Sequence, residues 1–186
     1  MKRMIYGVVV AMVMALNVGC DLLLDVDNYE QPLSTLTADV NFTASEQPVI
    51  RQFDVLYPDF RNHQSFVVEL IGPEVDGKRD AVVLDLLAPK TTLSIEGEYT
   101  VGFTGDYIAL PRLDLINNAT GMMQYGGSYY GKAMDGVIGD YYGFLTEGKV
   151  MVSSLDGEYF ITVDAKSEEH NIWAYYHGPV EIIRGK

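Results

Sequence analysis

The sequence has very few of the residues that build disulfides and metal sites. It contains one cysteine, Cys20, and three histidines, His63, His170 and His177. A single cysteine excludes an intramolecular disulfide, and the scattered histidines lack the spacing of a zinc site. The serines and carboxylates show no catalytic arrangement of nucleophile, base and acid. We therefore predict a protein that is not an enzyme and that binds no metal or cofactor.

Basic residues are also scarce. The chain has 13 Lys and Arg against 26 Asp and Glu, a net charge of −13. Without Lys2 and Arg3, 11 basic residues remain against 26 acidic ones, which gives −15. Nucleic-acid binding is disfavoured because no basic stripe is present to neutralise phosphates. The acidity itself favours solubility, and it is also compatible with binding of cations.

The N-terminus has the features of an export signal. Lys2 and Arg3 precede an apolar run over residues 5–16, and Gly19 precedes Cys20. Such a segment is typical of a cleaved secretory signal. It resembles a bacterial lipoprotein signal, which implies removal of residues 1–19 and lipid attachment at Cys20.

An ordinary signal peptide or an uncleaved anchor is the alternative, although the run is short for a membrane span. The resemblance to a lipoprotein signal implies anchoring in the bacterial cell envelope. We expect the outer membrane, with the domain facing either the periplasm or the cell surface. Residues 20–36 are then a lipidated tether, and residues 37–186 form one domain.

Strand signals recur along this domain, with turns between them. Asp76-Gly77 and Asp156-Gly157 are typical of tight hairpin turns. Apolar residues alternate on both sides of the second turn, and tyrosine is abundant, which favours strands. We predict an all-β fold, a single antiparallel β-barrel or β-sandwich. Two finer expectations are a strand break at Gly72-Pro73 and a short helix over Leu110 to Asn118.

The C-terminal sequence carries a resemblance. It reads Gly148-Lys-Val-Met-Val, then Gly157-Glu-Tyr-Phe-Ile-Thr-Val-Asp, then Tyr175-Tyr-His-Gly-Pro-Val. This pattern looks like that of small Bacteroidetes-type cell-envelope lipoproteins, some of which are calycin-like. The resemblance implies a β-barrel or β-sandwich at the envelope and implies no catalytic residue.

The segment from Gly121 to Gly143 is the most unusual part of the chain, with seven glycines and five tyrosines. Tyrosine offers an apolar ring with a polar tip, which suits binding surfaces. The alternative is that these tyrosines only fill half-buried strand positions. The candidate ligand-binding residues are Tyr125, Tyr129, Tyr130, Tyr141, Tyr142 and, by alternation on a later strand, an exposed Trp173.

Three functions fit these observations. The leading hypothesis is a binding module for a glycan, a peptide or a partner protein of the envelope. A lipocalin-like carrier of a small apolar ligand is the second, since β-barrels can enclose such ligands. The third is a purely structural or adhesion component of the envelope.

Overall fold

The computed structural model describes residues 39–54, 56–116, 123–134 and 137–185, and it confirms the all-β prediction. Cys20, the signal segment and the tether up to residue 36 lie outside the described residues. The described strands are β1 (Val40–Thr43), β2 (Val49–Phe53), β3 (His63–Val75), β4 (Lys78–Pro89), β5 (Gly97–Val101), β6 (Ile108–Ala109), β7 (Leu113–Ile116), β8 (Met123–Gly126), β9 (Tyr129–Met134), β10 (Val137–Leu155), β11 (Glu158–Ser167), β12 (Asn171–Gly178) and β13 (Glu181–Arg184). A short 3-10 turn covers Pro58–Phe60. No helix in these ranges is long and apolar enough to cross a membrane.

Five strands close into a barrel. β4 pairs with β9, β9 with β10, β10 with β5, β5 with β6, and β6 with β4. The sheet continues from β10 through β11 and β12 to β1, and from β4 through β3 and β2 to β13. Most pairs are antiparallel, as predicted, whereas β1–β12, β5–β6 and β13–β2 are parallel.

Both predicted tight turns are confirmed. Asp76 and Gly77 have φ of 52° and 76°, and they join β3 to β4. Asp156 and Gly157 have φ of 52° and 88°, and they join β10 to β11. Positive φ at both central residues is what a type I′ turn requires, and its twist matches that of the flanking strands.

Both faces of β4 are covered. Val82, Leu84 and Leu86 belong to the main core inside the curved sheet. The next residues in alternation, Asp85 and Leu87, face outward and are also buried. Leu87 packs in a second cluster on the outer face. A strand that is buried on both faces has a nearly continuous apolar sequence, and the sequence of β4 shows this pattern.

Two local expectations are wrong. Leu113–Ile116 is a strand, not part of a helix, and it pairs with β8 in a separate two-stranded hairpin. Leu113 and Leu115 both pack against the second cluster. Residues two apart share a face of a strand, so this spacing of the two leucines fits a strand and not a helix. Gly72-Pro73 does not end β3, because the strand continues past an irregularity between Ile71 and Glu74 that accommodates the proline.

Candidate functional site

Strand alternation sends the candidate tyrosines of β9 to opposite faces. Tyr130 lies in the main core, and its hydroxyl donates a hydrogen bond to Asp80 Oδ1 at 2.6 Å. Tyr142 stacks on Tyr130 with ring centroids 5.5 Å apart, and the His170 ring packs against both. Tyr130 and Tyr142 therefore support the interior of the domain, away from the surface where the other candidates meet.

The expectation that Trp173 is exposed is wrong. Its side chain is 2% exposed and stacks on Tyr175, with ring centroids 6.0 Å apart. Alternation on β12 places Trp173 opposite the inward row of Ile172 and Ala174, as expected. The face that it occupies is nevertheless covered, and Trp173 is therefore removed from the candidate site.

The remaining candidates meet in an open depression on the outer face, which we call the aromatic cup. Phe144 lies at its floor, and the rings of Tyr125, Tyr129 and Tyr141 lie 6.5, 6.0 and 5.3 Å from the Phe144 ring, centroid to centroid. The cup has a volume of about 470 Å³, and its lining residues are Arg112, Tyr125, Tyr129, Tyr141, Phe144 and Glu168. Tyr125 and Tyr141 are 56% and 51% exposed, so the rim of the cup is open to solvent.

A β-bulge brings Tyr141 and Phe144 to the same face. Residues three apart on a regular strand point to opposite faces. The register of β10 against β9 shifts between Tyr141 and Gly143, and Gly143 has φ of 134°. This is a backbone conformation that glycine adopts without strain. The extra residue places both rings beside Tyr129 on the outer face, as bulges near binding sites commonly do.

The opposite wall of the cup comes from the β7–β8 hairpin and the residues just before it. The Arg112 guanidinium carbon lies 4.6 Å from the centre of the Tyr125 ring and 5.8 Å from that of Phe144. These are distances at which a cation is attracted by the negative face of a ring. Arg112 Nε also donates to Asp114 Oδ1 at 2.8 Å, so the Arg112 charge is paired with that carboxylate.

The ionisation of the cup residues favours neutral rings at physiological pH. Burial, and then the charge of Glu168, raise the pKa of Tyr141 to about 12. Burial, and then Glu69, raise the pKa of Tyr129 above its ordinary value. The hydrogen bond to Asp114 is the main cause that raises the pKa of Arg112, so its charge is permanent. The cup thus offers neutral rings with one cation and one carboxylate at its rim.

Next to the cup, the outer face is closed by what we call the sealed patch: Tyr57, Asp85, Leu87, Ile108 and Leu110. Asp85 is 4% exposed, and its Oδ2 accepts a hydrogen bond from the Tyr57 hydroxyl. Its Oδ1 is buried without a hydrogen-bond partner among the described residues. Burial raises the pKa of Asp85 to about 6, opposed by the hydrogen bond from Tyr57 and by the nearby backbone of Gly127.

Backbone contacts hold the hairpin over this patch. The Asp85 N–H donates to Ser128 Oγ at 2.9 Å, and the Ser128 N–H donates to the Leu110 carbonyl at 2.7 Å. Gly127 has φ of 109°, and a Cβ there would lie 2.0 Å from the Pro111 carbonyl oxygen. The segments before and after the hairpin, at Pro111 and Gly127, are therefore in direct contact. This contact positions the neighbouring residues Arg112 and Tyr125.

A second depression lies between residues 58–63 and 103–105, with a volume of about 650 Å³. Phe103 projects into solvent at its edge, and the His63 ring nitrogen Nε2 lies 3.3 Å from the Gly105 carbonyl oxygen. Its lining is mostly polar, and among the described residues its ring contact is a single pair, Phe60 with His63 at 6.1 Å between centroids, against the four rings of the cup. Within the ranges that the structure describes, no group of histidine, cysteine and acidic side chains could hold a metal ion.

Sequence reasoning missed three cup residues: Arg112, Phe144 and Glu168. Phe144 directly follows the Tyr/Gly-rich segment, so extending that segment by one residue would have found it. Arg112 and Glu168 lie far away in sequence, and only the fold brings them to the cup. No protein-family model, curated protein or solved structure matches the chain. The function must therefore be inferred from the cup itself.

Proposed function

We propose that this protein is a non-catalytic binding protein of the bacterial cell envelope, anchored by lipid at Cys20. In this proposal the aromatic cup binds a side chain of a peptide or of a partner protein. The observation that carries it is the packing of four rings around an open depression, with Arg112 and Glu168 at the rim. The anchor depends on the sequence around Cys20 and is tested separately.

The exposed rings support binding. Contiguous exposed aromatic surface is uncommon on a monomer and marks interaction sites. Aromatic residues, tyrosine among them, are also enriched at the centres of protein interfaces. A volume of about 470 Å³ lies within the range of sites that enclose a small group.

The angles between the rings favour a side chain over a saccharide. The Tyr129, Tyr141 and Phe144 rings meet at 54° to 73°, so they form a concave site with walls. A saccharide stacks best on a flat ring face that is free on one side. A single side chain instead inserts into a concave pocket, as anchor residues do at interfaces.

The packed interior favours surface binding over a carrier function. Phe66, Leu70, Leu84 and Tyr99 are fully buried within the curved sheet, together with the rest of the main core. A lipocalin-like carrier needs an interior space that its own side chains leave free. The third hypothesis, a purely structural component, predicts that the cup binds nothing.

The test compares three forms of the full-length chain in detergent on arrays of peptides and glycans. The cup variant carries Tyr125→Ala and Tyr141→Ala. The control carries Phe103→Ala, because the Phe103 side chain is 52% exposed and lies outside the cup. We expect the cup variant to lose binding of peptide ligands about 10-fold or more, and the control to retain it. Equal binding by both variants would contradict the proposal, and selective binding of glycans would reassign the ligand class.

The anchor is tested by mass spectrometry of the protein extracted from membranes. We expect a mature N-terminus at Cys20 that carries acyl chains, because stable anchoring needs more than one chain. A Cys20→Ser variant should be released into the soluble fraction. An unmodified Cys20, or a mature N-terminus elsewhere, would refute the anchor and leave the binding proposal standing.

A further inference from the structure

We propose that the aromatic cup recognises a cationic side chain, arginine or lysine, in a basic peptide segment, and that Arg112 occupies part of the cup until such a ligand binds. This inference rests on the proposed function, because it names the ligand class of the same site. It also assigns Arg112 a role that opposes binding.

The cup already holds one guanidinium group. Arg112 stands over the faces of Tyr125 and Phe144, at 4.6 and 5.8 Å from their centres. A guanidinium or ammonium within about 6 Å of a ring centre is attracted by the ring quadrupole. The intramolecular contact thus demonstrates which kind of group these rings accept.

The other half of the cup is open and carries a carboxylate. Tyr129 and Tyr141 lie 5.7 Å apart, and Glu168 lines the cup beside them. Glu168 Cβ lies 3.1 Å from the position that a Cβ on Gly143 would occupy, two residues after Tyr141 on β10. A cation in this half contacts two tyrosine rings and pairs with Glu168, a combination of cation–π attraction and charge-assisted hydrogen bonding.

The charge balance also favours a cationic ligand. Arg112 is paired with Asp114 at 2.8 Å, whereas Glu168 forms no ion pair among the residues that the structure describes. The whole chain carries −13, which attracts cationic segments and repels anionic ones. An anionic ligand would have to approach Arg112 past Asp114 and Glu168.

Arg112 competes with such a ligand. Two cations over neighbouring rings of one cup repel each other. Arg112 is about half exposed and remains bound to Asp114, so it can move off the rings toward solvent while keeping its ion pair. Removal of the Arg112 side chain should therefore strengthen the binding of a cation. If Arg112 instead bound an acidic group of the ligand, its removal would weaken binding.

The experiment titrates the full-length chain in detergent with two acetylated, amidated pentapeptides, Gly-Gly-Arg-Gly-Gly and its citrulline counterpart, which lacks the charge. The readout is the NMR signals of labelled tyrosine rings. We expect the arginine peptide to bind about 10-fold more tightly than the citrulline peptide.

Arg112→Ala should tighten binding of the arginine peptide several-fold, and Glu168→Gln should weaken it by a similar factor. Lys149→Ala, a cation on the exposed part of β10, is the control and should have no effect.

Two results would overturn the inference: equal affinity for both peptides, or weaker binding of the arginine peptide by Arg112→Ala. Binding of only uncharged or acidic array peptides would also overturn it while the proposed function stands. Failure of every peptide and glycan to depend on Tyr125 and Tyr141 would instead overturn the proposed function itself.

Discussion

The outer face of the barrel is closed over β4 and open over β9 and β10, although the β7–β8 hairpin borders both regions. In the sealed patch, Tyr57 is buried, and its hydroxyl is bonded to Asp85. In the cup, Tyr125 and Tyr141 keep about half of their surface in solvent. The same residue type thus closes one region and leaves the next open to solvent.

The two regions also differ in how they treat charge. The sealed patch buries one carboxylate, Asp85, with a hydrogen bond from the Tyr57 hydroxyl, and burial of a charge is costly even then. The cup places Arg112 and Glu168 at the rim, where water continues to solvate them. A stability role therefore belongs to the sealed patch and a binding role to the cup, and this division is open to experiment.

The largest effect is expected from the sealed patch. Leu87→Ala removes a buried side chain between Tyr57, Ile108 and Leu110. Such a truncation costs about 2–5 kcal/mol in the free energy of unfolding. Denaturant titration measures the loss, with Leu93→Ala as the control because Leu93 is 97% exposed. A loss no larger than that of the control would mean that the patch does not hold the hairpin.

The next effect is expected at the β-bulge that brings Tyr141 and Phe144 into the cup. Gly143→Ala forces a side chain into a φ of 134°, with Glu168 Cβ 3.1 Å from the new Cβ. Strained backbone of this kind costs about 1–3 kcal/mol. The variant should also lose affinity in the cup, since Tyr141 and Phe144 no longer share a face. Gly139→Ala is the control, because no atom lies within 4 Å of its Cβ position. Unchanged stability and affinity would refute the role of the bulge.

The buried carboxylate predicts a pH-dependent effect. The pKa of Asp85 is raised to about 6, against about 3.9 in an unfolded chain. The folded state therefore binds this proton more tightly, and the stability that protonation contributes is full below about pH 4 and lost as the pH rises through 6.

Asp85→Asn should accordingly be more stable than the natural protein at pH 8, and this advantage should shrink toward pH 4. Thermal unfolding across that range measures it. Asp106→Asn, an exposed aspartate, is the control for general charge effects. An advantage that does not vary with pH would indicate that packing, not ionisation, distinguishes the two side chains.

The smallest effect on stability is expected in the cup. Tyr141→Ala removes a half-exposed ring that contacts Tyr129 and Phe144, so the free energy of unfolding should fall by about 1 kcal/mol. Binding should nevertheless fall, because the ring forms a wall of the cup. A large loss of stability, similar to that of a buried neighbour such as Tyr130→Ala, would show that Tyr141 serves the fold and would break the division between the regions.

Turn chemistry made much of the fold predictable. Asp76-Gly77 and Asp156-Gly157 mark hairpins because few other residue pairs adopt two consecutive positive φ angles. Apolar residues alternate on both sides of the second turn, and three of them, Val150, Val152 and Ile161, are buried. These features are local, so a single sequence contains them.

The site was less predictable because it depends on departures from alternation. One extra residue at Gly143 reverses the side on which Phe144 is expected. A glycine within a strand suggests a bulge, but the seven glycines of the Tyr/Gly-rich segment do not show which of them forms it. Trp173 obeys alternation, but both faces of its strand are covered. Arg112 and Glu168 reach the cup only through pairings between strands that are distant along the chain.

The position of β1 has a consequence for how the chain folds. β1 pairs in parallel with β12, and the Asn171 N–H donates to Asp39 Oδ2, 132 positions earlier. Closure of a loop of this length is entropically slow, and topologies rich in such contacts fold slowly. The edge of β12 therefore stays unpaired until β1, from the opposite end of the domain, reaches it. An unpaired strand edge can pair with other chains and so promotes aggregation. Excess negative charge on the chain would keep neighbouring molecules apart during that interval.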